Sequence, residues 1–125
     1  MRLLLDTHIF LWIAQDDPQL RANARALIES AESVHVSSVT IWEVAIKVAL
    51  GKLNAVPEEL ILEMEVCGFR ELPVSVRHAA QVSRLPPHHR DPFDRLLVAQ
   101  AISESMLLLT VDKQLAAYSE LVIQA

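Results

Sequence analysis

The sequence has very little cysteine and glycine. Among its 125 residues are one cysteine, Cys67, and two glycines. A single cysteine excludes a disulfide within the chain and favours a reducing compartment, so we expect a cytoplasmic protein. Two glycines in a chain that is 52% hydrophobic argue against disorder and low complexity. The length predicts one domain over residues 1–125.

Long hydrophobic runs and positive charge are also scarce. The apolar run that begins "MRLLL" stops at Asp6, too early for a signal peptide, and no run approaches the roughly 20 residues of a membrane span. The 11 basic side chains are outnumbered by 16 acidic ones, which gives a net charge of -5. This charge argues against a nucleic-acid binder, because phosphate contacts need Lys and Arg. The objection weakens if several acids share a metal site, where bound cations cancel their charge.

Short apolar runs alternate with segments of helical spacing, and this pattern predicts the fold class. Strands are expected over residues 3–5, 33–37, 69–75, 106–109 and 121–123. Helices are expected over residues 8–14, from Pro18 behind the cap Asp17, from about residue 38 to Gly51, over 57–68, 76–84 and 92–104, and over 113–117. Strands that alternate with helices indicate an α/β fold with a mostly parallel sheet.

Acidic side chains occur close to the predicted strand ends. Asp6 directly follows the first strand, Asp112 follows the strand over residues 106–109, and Glu43 lies in the first turns of a helix. In open α/β sheets the carboxyl ends of the strands form the binding edge, so these three acids should meet there. Asp94 joins them only if its helix begins near that edge. Carboxylates gathered in this way suit Mg²⁺ or Mn²⁺, which favour oxygen ligands.

Each acid also has a purely structural explanation. Asp6 can form a turn, and Glu43 can complete a capping box with Thr40 or pair with Lys47. Asp91 before Pro92 is a natural helix cap, and Asp94 then lies where the helix dipole favours a carboxylate. Asp112 can cap the last short helix. The metal site is favoured because all these acids fall around one predicted edge. Helix N-termini should lower the pKa of such carboxylates, so we expect them to be ionised.

Four segments together resemble a known family. "LLLDTHIFLW", "SSVTIWEVAIKVALGKL", "HRDPFDRLLVAQA" and "LLLTVD" occur in this order between Arg2 and Asp112. They resemble the PIN-domain ribonucleases, and most of all the VapC toxins of type II toxin–antitoxin pairs. The resemblance implies a three-layer α/β/α fold with a central parallel sheet. It also implies an acidic site that binds Mg²⁺ or Mn²⁺ and hydrolyses RNA.

Carried over by position, the resemblance assigns roles to individual residues. Asp6, Glu43, Asp94 and Asp112 match the family's four acids, with Asp6 and Asp94 as the main metal ligands. Glu43 is expected to bind metal through water or to help deprotonate the nucleophile, and Asp112 to tune the charge or hold a second metal. Three residues are expected to support these acids without binding metal, namely Thr7, Thr110 and the structural Asp91.

The resemblance also implies partners. RNA phosphates would need cations, for which Lys47, Arg95 and Lys113 are candidates, although scattered basic side chains are more often solvated. A cognate antitoxin is expected to fill an apolar groove near the site. A homodimer is expected as well, and no membrane association. The groove is predicted to include Ile9, Trp12, Ile13 and Ile46.

Other interpretations stay open at this stage. A PIN-like module could grip RNA or protein without cutting. A phosphotransfer receiver or a phosphohydrolase would also gather acids at strand ends, but Thr7 and His8 stand where those classes need a further acid. The pair His88–His89 could suggest a transition-metal site, but no third histidine and no suitably spaced cysteine accompanies it. The sequence does not identify which RNA is cleaved, how many metal ions are bound or which type of antitoxin is the partner.

Overall fold

In a computed structural model, which describes residues 1–125, five parallel strands form one sheet in the order β3-β2-β1-β4-β5. The strands are β1 (Arg2–Leu5), β2 (Ser33–Ser37), β3 (Arg70–Leu72), β4 (Leu107–Thr110) and β5 (Val122–Gln124). The helices are α1 (Thr7–Ala14), α2 (Ala22–Ser30), α3 (Ser38–Ala49), α4 (Pro57–Cys67), α5 (Val76–Gln81) and α6 (Pro92–Glu104). Two 3₁₀ segments cover Val82–Arg84 and Lys113–Tyr118. The predicted α/β class with a parallel sheet is confirmed.

The core lies on both faces of the central strand. Leu3, Leu4 and Leu5 of β1 have no exposed surface. Leu3 and Leu5 pack with Phe10 on one face, whereas Leu4 packs with Leu97 on the other. Side chains alternate along a strand, so an uninterrupted apolar run means that helices cover both faces. The three-layer arrangement follows from this burial. None of the helices has the length and apolar character needed to cross a membrane.

The predicted start of the second helix is wrong. Helix α2 begins at Ala22 behind Arg21, whereas the sequence predicted a start at Pro18 capped by Asp17. The Asp17 carboxylate instead accepts from the backbone N–H of Gln19 at 2.9 Å. The Asp17 carbonyl accepts from Leu20 N and from the Arg25 guanidinium. Because its acceptors are used within this turn, the segment before residue 22 is a tight connection and not a helix.

Candidate metal centre

Asp6 lies at the carboxyl end of β1, and its carboxylate accepts three hydrogen bonds. Its Oδ1 accepts from Ile9 N at 2.8 Å, so Asp6 is the N-cap of α1. Its Oδ2 accepts from the Thr110 hydroxyl and from Val111 N, the latter at 3.3 Å. The side chain is only 3% exposed, and this burial raises the pKa of Asp6, while the bond from Thr110 opposes the rise. The fixed carboxylate therefore lies in a site that disfavours its own charge.

Glu43 reaches the same edge from α3. It is 3% exposed, and its Oε1 accepts from the Thr7 hydroxyl at 2.7 Å. Its Oε2 accepts from Lys47 Nζ at 2.6 Å, and this bond is the main reason that the pKa of Lys47 is raised. The predicted ion pair with Lys47 is confirmed. The predicted capping box with Thr40 is wrong, because Ser37 caps α3 and the Thr40 hydroxyl lies 3.2 Å from that of Thr7.

Asp94 is positioned by the cap of α6. Asp91 Oδ1 accepts from the backbone N–H groups of Phe93 and Asp94 at 2.9 and 3.3 Å, as the sequence predicted for a cap. Asp94 itself lies in the first helical turn. Burial, followed by the negative charges of Asp91, Glu43 and Asp6, raises the pKa of Asp94 to about 7. The expectation that helix N-termini keep these carboxylates ionised is therefore wrong for Asp94. Desolvation and like charges outweigh the helix dipole there.

The imidazole of His89 joins Asp94 to Asp112. Its Nε2 lies 2.9 Å from Asp112 Oδ2 and 3.2 Å from Asp94 Oδ2. Its Nδ1 accepts from the backbone N–H of Arg90 at 2.9 Å, so in the neutral ring the proton is on Nε2. In this tautomer His89 donates to both carboxylates, and its Nε2 could bind a metal only after losing that proton. From the sequence, His89 was considered together with His88 as a transition-metal pair, but its link between Asp94 and Asp112 was not predicted.

The predicted supporting residues also reach the site. Thr7 donates to Glu43, Thr110 to Asp6, and Asp91 caps the helix of Asp94. Asp112 Oδ1 accepts from Gln114 N at 2.9 Å, so this acid caps the 3₁₀ segment while its other oxygen faces His89. Glu43, Asp6 and Asp112 are thus each held in place by a hydroxyl or backbone donor of their own.

The donor set fits a hard divalent cation. The negative charges of Asp6, Glu43 and Asp91 act on Asp94, and the only side-chain N–H donors bonded to this group of carboxylates are Lys47 and His89. All the acidic ligand atoms are carboxylate oxygens, which Mg²⁺ and Mn²⁺ favour. A bound cation would relieve the repulsion that raises the pKa of Asp94.

The three predicted substrate cations have different surroundings. Lys47 is paired with Glu43. The Arg95 guanidinium donates to three carbonyls of residues 82–86 and to the Tyr118 hydroxyl, so it holds the loop before α6. It forms no ion pair with Asp94. Lys113 is exposed and borders a cavity beside the site.

The four predicted groove residues do not line one groove. Ile9 has no exposed surface and packs in the core, so its assignment to a groove is wrong. Trp12 and Ile13 border two different cavities. Ile46 is partly buried in α3. The helical turn that carries Ile9 faces the sheet, which explains why a pattern of apolar residues could not separate core from groove.

Comparison with known proteins gives one consistent result. Residues 3–121 match the PIN domain family. The chain is 28% identical over 118 residues to Ribonuclease VapC22 of Mycobacterium tuberculosis, covering 93% of this chain and 91% of that protein. Its fold is similar to VapBC2 from Rickettsia felis bound to a promoter DNA fragment (TM-score 0.72, 18% identity, covering 100% of this chain and 98% of that one). A toxin–antitoxin complex from Klebsiella pneumoniae is also similar (TM-score 0.68, 19% identity, covering 98% and 96%).

Proposed function

Because this chain belongs to the PIN domain family, we propose that it is a metal-dependent endoribonuclease and the toxin of a type II toxin–antitoxin pair. One observation carries the catalytic part of this proposal. Burial, together with the nearby charges of Asp91, Glu43 and Asp6, raises the pKa of Asp94 to about 7. Strongly perturbed acids grouped at a strand edge are typical of functional sites. The likeness to a protein named as a ribonuclease supports RNA as the substrate.

The cation is proposed to be Mg²⁺ or Mn²⁺, held mainly by Asp6 and Asp94. When bound, such an ion lowers the pKa of a water nucleophile and stabilises charge on the phosphate. Glu43, held by Thr7, would orient or deprotonate the attacking water. Asp112 would adjust the charge of the site or help to hold a second ion. Thr110 keeps the Asp6 carboxylate in place.

The proposed partner is a cognate antitoxin, and the proposed assembly contains a toxin homodimer. The similar solved structures include toxin–antitoxin complexes, which supports such a partner. Exposed apolar side chains are available for these contacts, among them Trp42 (59% exposed) and Val76 (87% exposed). Ile9 no longer belongs to the proposed groove, whereas Trp12, Ile13 and Ile46 retain exposed surface. A single PIN domain acting in the cytoplasm remains part of the proposal.

Controlled expression without antitoxin tests the proposal. The wild type should arrest growth and produce defined RNA cuts, and Asp94→Asn should do neither. Asp16→Asn is the matched control, because Asp16 is an exposed acid with a positive φ of 49° that asparagine tolerates. The purified wild type should cut RNA with Mn²⁺ and stop when EDTA is added.

Two outcomes would contradict the catalytic assignment. Equal toxicity of wild type and Asp94→Asn would remove Asp94 from the reaction. RNA binding without any cutting, with Mg²⁺ or Mn²⁺ present, would instead support a PIN-like module that grips RNA.

A further inference from the structure

A cavity of about 620 Å³ is lined in part by Val111 and Lys113, the two residues that flank Asp112. It is formed by Trp12 of α1, the connection that leads into α2, and the segments that follow β4 and close β5. Val111 belongs to its wall, and the backbone N–H of Val111 donates to Asp6 Oδ2. Lys113, also in the wall, follows Asp112 directly. The cavity therefore adjoins the candidate metal centre on the side of β4.

The lining of this cavity differs in charge from the rest of the chain. The protein has a net charge of -5, but none of the nine lining residues is an aspartate or a glutamate. Two of them, Arg21 and Lys113, are exposed cations that form no ion pair or hydrogen bond with a protein side chain or carbonyl. By contrast, Arg25 and Lys47 are bonded to protein acceptors. Uncommitted cations next to an acidic site attract phosphate groups.

Trp12 adds an aromatic surface to the same cavity. Its indole is partly exposed and lies edge-on to His8, with ring centroids 6.4 Å apart. Nucleic-acid bases stack on such rings regardless of sequence. Only four of the nine lining residues are hydrophobic, so the cavity suits a charged aromatic ligand better than an apolar helix. Its volume lies within the usual range for small-ligand sites, about 300–1,000 Å³.

We propose that this cavity binds one nucleotide of single-stranded RNA beside the bond to be cut. The base contacts Trp12, and the adjoining phosphate is bound by Arg21 and Lys113. This inference rests on the proposed function, since it takes RNA as the substrate. It adds a binding site that holds the strand in register with Asp6 and Asp112.

The first test uses Trp12 as its own reporter. The chain has two tryptophans, so Trp42→Phe leaves only Trp12 to fluoresce. A short oligouridylate is titrated in EDTA, which prevents metal-dependent cutting. We expect it to quench the fluorescence of this variant, and the affinity to fall as salt increases. In a second measurement with labelled oligouridylate, Trp12→Leu should bind about tenfold more weakly, because leucine keeps apolar packing but loses the stacking surface.

The second test concerns the cations. Arg21→Gln and Lys113→Gln should each weaken binding and reduce the slope of log affinity against log salt by about 0.7, the value for one phosphate contact of a single strand. Arg77→Gln is the matched control, because Arg77 is exposed and does not line this cavity, so the variant should leave both quantities unchanged.

Several results would overturn the inference. These are unchanged Trp12 fluorescence, wild-type salt slopes in both glutamine variants, or quenching by the antitoxin but not by RNA. If the same preparation still cuts RNA with Mn²⁺, the proposed function survives and only this site is refuted. Binding that depends on Trp12, Arg21 and Lys113 without any cutting would refute the catalytic proposal and retain the site.

Discussion

Replacing Asp94 by asparagine should stabilise the metal-free protein. The pKa of Asp94 is raised from 3.8 to about 7, mainly by burial and then by Asp91, Glu43 and Asp6. The folded protein therefore binds more protons than the unfolded chain between these two pH values, and its stability falls as pH rises through that window. Asparagine has nearly the same shape, cannot ionise and still offers an oxygen to His89. The variant should therefore not lose stability as the pH rises from about 4 to 7.

The expected magnitude follows from the pKa. At about 1.4 kcal/mol for each pH unit, the interval between 3.8 and about 7 corresponds to about 4 kcal/mol. The Asp94 side chain is 23% exposed, so water screens part of the repulsion. We therefore expect Asp94→Asn to raise the free energy of unfolding by about 2 kcal/mol after this discount. The full gain should appear only above pH 7, with little or none near pH 4.

Urea unfolding in EDTA at several pH values would measure this difference. The gap between wild type and Asp94→Asn should open between about pH 4 and 7 and then stay constant. The control Asp16→Asn should stay within about 0.5 kcal/mol of the wild type at every pH, because Asp16 is exposed and its ion pair with Arg25 lies on the surface. A variant that is less stable than the wild type at high pH would refute the idea that like charges crowd Asp94. A stable but inactive variant would also show that lost activity is not lost folding.

Three further predictions concern the same region. Mn²⁺ at about 100 times its Kd should stabilise the wild type by about 2.7 kcal/mol, which thermal unfolding would detect as a rise in Tm. An equal rise in Tm for Asp94→Asn would show that Asp94 is not a metal ligand. Arg95→Ala should lower the free energy of unfolding in urea by about 2–3 kcal/mol, since several carbonyls and the Tyr118 hydroxyl lose a charged donor. Arg84→Ala, at an exposed position, should leave the free energy of unfolding unchanged. Equal losses in the two variants would contradict the proposal that Arg95 holds the loop before α6. Asp91→Ala should lower the free energy of unfolding by about 1 kcal/mol, because it removes the cap of α6. Thermal unfolding measures this loss. An unchanged stability would show that water replaces the cap.

Sequence pattern predicted the sheet better than the starts of the helices. The run Leu3–Leu5 indicated a strand covered on both faces, and burial confirms it. The start of α2 was wrong because Asp17 and Pro18 are common both in helix caps and in turns. A distant contact, from the Arg25 guanidinium to the Asp17 carbonyl, accompanies the turn. Local pattern carries no information about such a contact.

In the candidate site too, some features could be predicted from the sequence and others depend on contacts between distant residues. Positions at strand ends predicted which acids would approach one another, because topology alone brings them to one edge. The pKa of Asp94 could not be predicted, since it depends on burial and on charges that include those of Glu43 and Asp6 from two other segments. The contact between His89 and Asp112 was not predicted for a related reason: the two residues lie 23 positions apart, and only the folded loop brings them together.

The central position of β1 has a consequence for protein synthesis. β1 pairs with β2 on one side and with β4 on the other, and Asp6 is fixed by Thr110, which lies 104 positions later in the chain. A nascent chain therefore exposes one edge of its first strand until β4 has been translated and can pair with it. During that time Asp6 lacks its hydroxyl donor and the cluster lacks Asp112. Assembly of the acidic site therefore waits until the segment 107–112 has been synthesised.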